Sequence, residues 1–165
     1  MNNLSYDCLR SFEVLSTFCS TFFLTKPDRK FLEGLIEQKD LLLDEPFATV
    51  CPDQAQSFFE LPDMLDSEEK VDTFLREVVQ DYTYLFYMVG ASRTSPYESV
   101  YRTDDRTMFG PTTLEVRDVY HAYGVKIPKE GSEPDDHFGF EMSFLATLFS
   151  RAAAAFEKND TQQVE

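Results

Sequence analysis

The stretch Glu133-Pro134-Asp135-Asp136-His137-Phe138-Gly139-Phe140-Glu141 gathers four carboxylates, a proline and one of the chain's two histidines. Such residues can bind a metal: His137 with Asp135, Asp136 and Glu141 supplies the hard oxygen and imidazole donors that a divalent cation accepts. They can equally begin a helix. Pro134 suits a first turn, where its missing N–H costs nothing, and the acids would face the positive end of the helix dipole. Adjacent acids at a helix start are usually solvated caps, so no metal ligand is assigned. Other reactive sets are missing from the sequence. His121 and His137 are the only imidazoles, and the six glycines form neither a G-x-G-x-x-G nor a G-K-[ST] phosphate loop. No catalytic residue and no cofactor is assigned.

The elements that must hold this stretch read as helices. From Phe138, apolar residues recur at Met142, Leu145, Phe149, Ala152 and Phe156, one stripe along a helix of about five turns. Upstream, Leu4, Cys8, Leu9, Phe12, Leu15, Phe18, Cys19, Phe22 and Phe23 keep helical spacing until Pro27, and Asp28 can cap a second helix carrying Phe31, Leu32, Leu35 and Ile36. A short piece around Asp53 to Met64 is broken by Pro62. Ser67 opens the longest pattern, Val71 through Val89, which ends near Gly90. Ala91 to Pro111 is a loop by composition; Val116, Val119, Tyr120 and Tyr123 then mark a helix stopped by Gly124. A second loop, Val125 to Ser132, leads into the acidic stretch. No strand alternation persists and no repeat occurs, so the expected architecture is an all-α bundle, one domain over residues 1–165.

Composition narrows the function classes. A chain of 165 residues can bury roughly 70% of the surface that it would expose unfolded. Its apolar content is unusually aromatic, with 16 Phe and 8 Tyr and no Trp. The net charge of −15 repels nucleic acid and anionic membranes and favours cationic partners. Cys8, Cys19 and Cys51 form no C-x-x-C pair, which fits a reducing, cytoplasmic compartment; Cys8 and Cys19 fall on the apolar side of their helix and are assigned to packing. No run of 18 apolar residues is present to span a membrane, and the first 25 residues lack the basic start and apolar block of an export signal, so the protein is expected to be soluble and not itself exported.

Two motifs in order, Pro96-Tyr97-Glu98-Ser99-Val100-Tyr101 and the acidic E-P-D-D-H-x-G-x-E-M-x-F-L, resemble those of the TorD/DmsD family of chaperones for molybdenum-containing redox enzymes exported by the twin-arginine route. The match is good from about Ser67 to Phe149. The resemblance implies an all-helical fold in two parts joined by a hinge near the acidic motif, and no reaction catalysed. It implies a cytosolic chaperone that binds the twin-arginine signal peptide of a molybdopterin oxidoreductase catalytic subunit until the cofactor is inserted. Such a peptide carries two arginines and then a moderately apolar stretch, so its receptor needs carboxylates and an apolar groove. The family's peptide-binding positions map onto Leu85, Phe86, Pro96, Tyr97, Glu98, Ser99, Asp136 and His137. Carboxylates of Glu98 and Asp136 would meet arginine, while Tyr97, Tyr101 and Phe86 would cover the apolar stretch. Leu85 and Phe86 also fit a core stripe. Some relatives have tryptophan where this chain has Tyr97.

Two alternatives accompany this reading: a NarJ-like assembly factor for a membrane-anchored enzyme, and, from another class, a small metal-dependent hydrolase. Relatives continue for several more helices beyond the position of Glu165. The carboxy-terminal helices are therefore expected to be absent, and exchange of helices through a hinge at Val125 to Ser132 would give a domain-swapped homodimer.

Overall fold

The computed structural model describes residues 5–87, 94–102, 104, 106–128 and 130–158. The expected helix end near Gly90 lies outside the described residues. Among the described residues there are eight α-helices and a short 3-10 turn at Lys39–Leu43, with isolated bridges and no strand. In chain order the helices are α1 (Tyr6–Leu24), α2 (Arg29–Glu37), α3 (Phe47–Val50), α4 (Pro52–Met64), α5 (Glu68–Phe86), α6 (Ser99–Arg102), α7 (Pro111–Ala122) and α8 (Phe138–Glu157). The architecture is all-α, as the periodicity predicts. No described helix is long and apolar enough to cross a membrane.

The chain divides into two compact units, Met1–Leu24 with Thr94–Glu165, and Thr25–Arg93. In the second, Asp28 caps α2 by accepting the Phe31 N–H at 2.7 Å, and Ser67 caps α5 by accepting from Lys70. Arg29 bridges from α2 to Glu68 at 3.0 Å and to Asp72, so the starts of the two helices are tied. Pro62 does not break α4, contrary to expectation. Its missing N–H takes one bond from the preceding turn, to the carbonyl four residues back, and α4 runs on to Met64 without it.

In the first unit α8 is the central element. The expected stripe does face a neighbour: Phe149 stacks on Phe12 of α1 at 5.2 Å and Phe138 meets Phe23 edge to face at 4.7 Å. Yet it is not the enclosed core, since Phe138 and Phe156 are exposed. The buried face is instead Phe140 and Phe144, which pack with Tyr120 and Ile127 and are flanked by Val116, Val125 and Leu148. A helix apolar on most sides carries no single preferred face, and the pattern alone could not choose between them. Gly139 marks where α1 crosses: a Cβ there would lie 2.6 Å from Leu24 Cγ and 3.1 Å from Phe23 Cβ.

The segment expected to act as a hinge is anchored to this core. Ile127 is buried, Val125 donates its N–H to Tyr120 O at 2.9 Å, and His121 pairs with Glu130 at 2.6 Å. Gly124 takes φ +68° just after α7, a left-handed position where glycine carries no steric cost.

Candidate functional site

The acidic stretch does not begin a helix at Pro134. The helix α8 starts four residues later at Phe138, and His137 is its cap, with Nδ1 accepting the Gly139 N–H at 3.0 Å. Pro134, Asp135, Asp136 and His137 form a turn ahead of the helix and are all buried. The expectation of solvated caps is therefore corrected: Asp135 and Asp136 are 0% exposed. Buried carboxylates persist only when charge or hydrogen bonds meet them. Asp135 Oδ2 receives Arg117 Nη2 at 2.6 Å and Nε at 3.1 Å, and its carbonyl accepts from the buried Tyr120 hydroxyl. Asp136 is the clasp between the two sequence motifs. Its Oδ2 accepts the Ser99 N–H at 2.7 Å and its Oδ1 the Thr113 hydroxyl at 2.6 Å.

Backbone bonds complete the junction. Glu98 N–H donates to Asp136 O at 3.0 Å and Phe138 N–H to Pro96 O at 2.7 Å, with Tyr97 and His137 paired as an antiparallel bridge. Motifs some forty residues apart thus become one surface. The Tyr97 ring meets the His137 ring at 5.0 Å, nearly perpendicular. Burial pushes the His137 imidazole below its ordinary value, which keeps it neutral and its Nδ1 free to accept. Tyr101 is 64% exposed and donates its hydroxyl to Ser95 O.

Pro96, Tyr97, Glu98, Ser99, Tyr101, Asp136 and His137 therefore come together in one unit, with Ser99, Asp136 and His137 as its interior and Glu98, Tyr97 and Tyr101 reaching solvent. Both oxygens of Asp136 are already engaged within the fold, so its carboxylate positions the Glu98 loop where the sequence reading had it facing arginine directly. Leu85 and Phe86 belong to the other unit. There Leu85 is exposed and Phe86 half-buried, its ring edge to face with Tyr82 at 5.2 Å.

Three residues escaped the sequence reading. Arg117 and Thr113 on α7 meet Asp135 Oδ2 and Asp136 Oδ1, while Asp135 Oδ1 stays buried with no hydrogen-bond partner among the described residues; the only signal for them was the rule that a sealed carboxylate must have partners. Glu141, weighed only as a metal ligand, has a buried oxygen, Oε1, with no hydrogen-bond partner among the described residues. Burial, and then the neighbouring Glu98 and Asp136, push its carboxyl up to about 7. Among the described residues no three His, Cys, Asp or Glu side chains converge as a metal site. Asp135 Oδ2 is turned to Arg117 and His137 Nδ1 to Gly139.

Residues 42–165 match the model of the nitrate reductase delta subunit family. The chaperone protein TorD of Vibrio cholerae serotype O1 is 28% identical over 120 residues, 73% of this chain and 48% of that protein. The "Probable Tat proofreading chaperone DmsD" of Haemophilus influenzae is 29% identical over 73 residues, 44% of this chain and 36% of that protein. The chain thus spans about half or less of the length of these relatives. A solved structure described as that of "A Putative Redox Enzyme Maturation Protein From Archaeoglobus Fulgidus" shares the fold, with TM-score 0.54 and 22% identity over 82% of this chain and 70% of that one. Both named chaperones are of the TorD/DmsD kind to which the two motifs point.

Proposed function

We propose that this chain, which belongs to the nitrate reductase delta subunit family, is a cytosolic maturation chaperone that binds the twin-arginine signal peptide of a molybdopterin oxidoreductase and holds the client until its cofactor is in place. The observation that carries the reading is the junction itself. Two motifs distant in sequence are locked by Asp136 into one solvent-facing edge, where Glu98 offers a carboxylate and Tyr97 and Tyr101 offer flat amphipathic rings. Such an edge suits a peptide with guanidinium groups followed by apolar residues. The net charge of −15 draws a cationic segment towards it. The names of the two chaperone relatives, one of them a Tat proofreading chaperone, point the same way. Leu85 and Phe86 supply apolar surface in this reading, and no catalytic group or bound cofactor is required.

The family's description as nitrate reductase delta subunit favours a second reading, an assembly factor for a membrane-anchored enzyme that binds a client tail with no working export signal. Calorimetric titration with a twin-arginine peptide and its Gln-Gln counterpart separates the two. We expect the arginine peptide to bind more tightly and to weaken with salt, because exposed charge pairs are screened beyond roughly 8 Å at physiological ionic strength. Equal affinities would remove the electrostatic half of the proposal and leave groove burial alone.

A further inference from the structure

We propose that Arg102 is a resident stand-in for the client's arginine, holding Glu98 in the empty chain and releasing it to an incoming guanidinium. The inference rests on the peptide-binding reading above and concerns how that site is kept until a client arrives.

Glu98 is held in place by the backbone, through its N–H on Asp136 O at 3.0 Å, so its position does not depend on Arg102. Its Oε1 nevertheless receives Arg102 Nη1 at 3.0 Å, across one turn at α6. The same Arg102 nitrogen lies 3.9 Å from Glu115 Oε2 on α7. Arg102 therefore has a second carboxylate within reach, and leaving Glu98 does not strand its charge. The pair is also open to solvent, with side chains 55% and 35% exposed, and ion pairs of that kind are weak and easily exchanged.

An external arginine can do something that Arg102 does not. Arg102 meets Glu98 through Nη1 on Oε1, and its other ion pair is with Glu115. A guanidinium arriving from outside can present two parallel donors of its planar fork to the two carboxylate oxygens of Glu98. Exchange swaps one cation for another at Glu98 and gains the paired geometry. That gain belongs to arginine more than to lysine, whose ammonium is a point charge.

Titration calorimetry on the whole chain, with a twin-arginine peptide and its Lys-Lys and Gln-Gln counterparts, tests this. Against wild type we expect Arg102→Gln to bind the arginine peptide about two- to fivefold more tightly, the range that exposed pairs contribute. Arg102→Lys should fall between the two, and Lys158→Gln, which removes a charge just beyond the far end of α8, should leave affinity unchanged. Equal or weaker binding by Arg102→Gln overturns the inference, as does an equal gain in Lys158→Gln, which would reduce it to net charge. If wild type binds all three peptides alike, the peptide-binding reading itself fails and the inference falls with it. Unfolding midpoints of the variants, expected to match wild type, exclude a gain that comes from altered folding.

Discussion

The end of α5 offers Leu85 open to solvent and Phe86 half-buried against Tyr82, whereas the junction of Pro96 to Ser99 with Asp135 to His137 offers residues that are mostly sealed. The family resemblance implies one role for both regions, yet their physics differs. In the proposed reading a side chain at the end of α5 would act through the surface that it presents, fully at Leu85 and in part at Phe86. At the junction Asp136 and His137 act by holding others: one fixes the Glu98 loop to the start of α8, the other closes that helix's first turn. A residue proposed for binding need not touch the ligand, and burial distinguishes the two kinds.

The sharpest way to break this contrast is Asp136→Ala. It leaves two buried donors, the Ser99 N–H and the Thr113 hydroxyl, without an acceptor. Each orphaned donor costs about 1–3 kcal/mol, so the variant should lose about 2–6 kcal/mol in denaturant unfolding and lose peptide binding with it. Asp136→Asn keeps one acceptor and should cost less. A wild-type midpoint for the alanine variant would show that the junction is not held this way.

Phe86→Ala should behave differently. An enclosed phenylalanine costs about 3–5 kcal/mol on truncation, and the half-buried Phe86 about 1–2. Its effect should therefore fall on affinity more than on the unfolding midpoint. A stability loss at the top of the enclosed range would return Phe86 to the core and dissolve the contrast between the two regions.

Much of the fold was legible in the sequence because local signals agreed with one another. Asp28 and Ser67 are caps where the pattern places them, Gly124 ends α7 with positive φ, and helical spacing alone predicts the all-α class. The acidic stretch was misread at its start because Pro134 and the acids satisfy every local rule for a first helical turn. The tertiary partners that make a buried turn better, Arg117, Thr113 and Ser99, stand 18, 23 and 37 residues away, beyond any local rule. The buried face of α8 was missed for a related reason: with apolar residues on most sides, only the positions of α1 and α7 decide which face is enclosed. The candidate residues were legible through the motifs; their division into interior and rim was not.

The smallest predicted effect concerns Glu141 and separates the two regions by pH, since the junction holds a carboxyl raised to about 7. Burial and the nearby Glu98 and Asp136 raise the Glu141 carboxyl from 4.5 to about 7 in the folded chain. Between those values the folded state holds a proton that the unfolded state has released. The stability that Glu141 contributes is therefore present below its unfolded value and is lost as pH rises through about 7. His137 runs the other way: with its folded value pushed down by burial, stability is lost as pH falls through the unfolded value of 6.5. Glu141→Gln removes the first effect and keeps the second. At about pH 8 the variant should be more stable than wild type by about 1 kcal/mol, a figure reduced from the full shift because solvent partly screens the carboxyl. Binding should move in the opposite sense, because an arginine prefers the ionised carboxylate: wild-type affinity for the twin-arginine peptide should rise through neutrality while that of Glu141→Gln stays flat. Parallel pH profiles for the two proteins would remove Glu141 from the site, whereas a slope that vanishes in the variant and persists in Phe86→Ala would assign the charge recognition to the junction and leave α5 its apolar part.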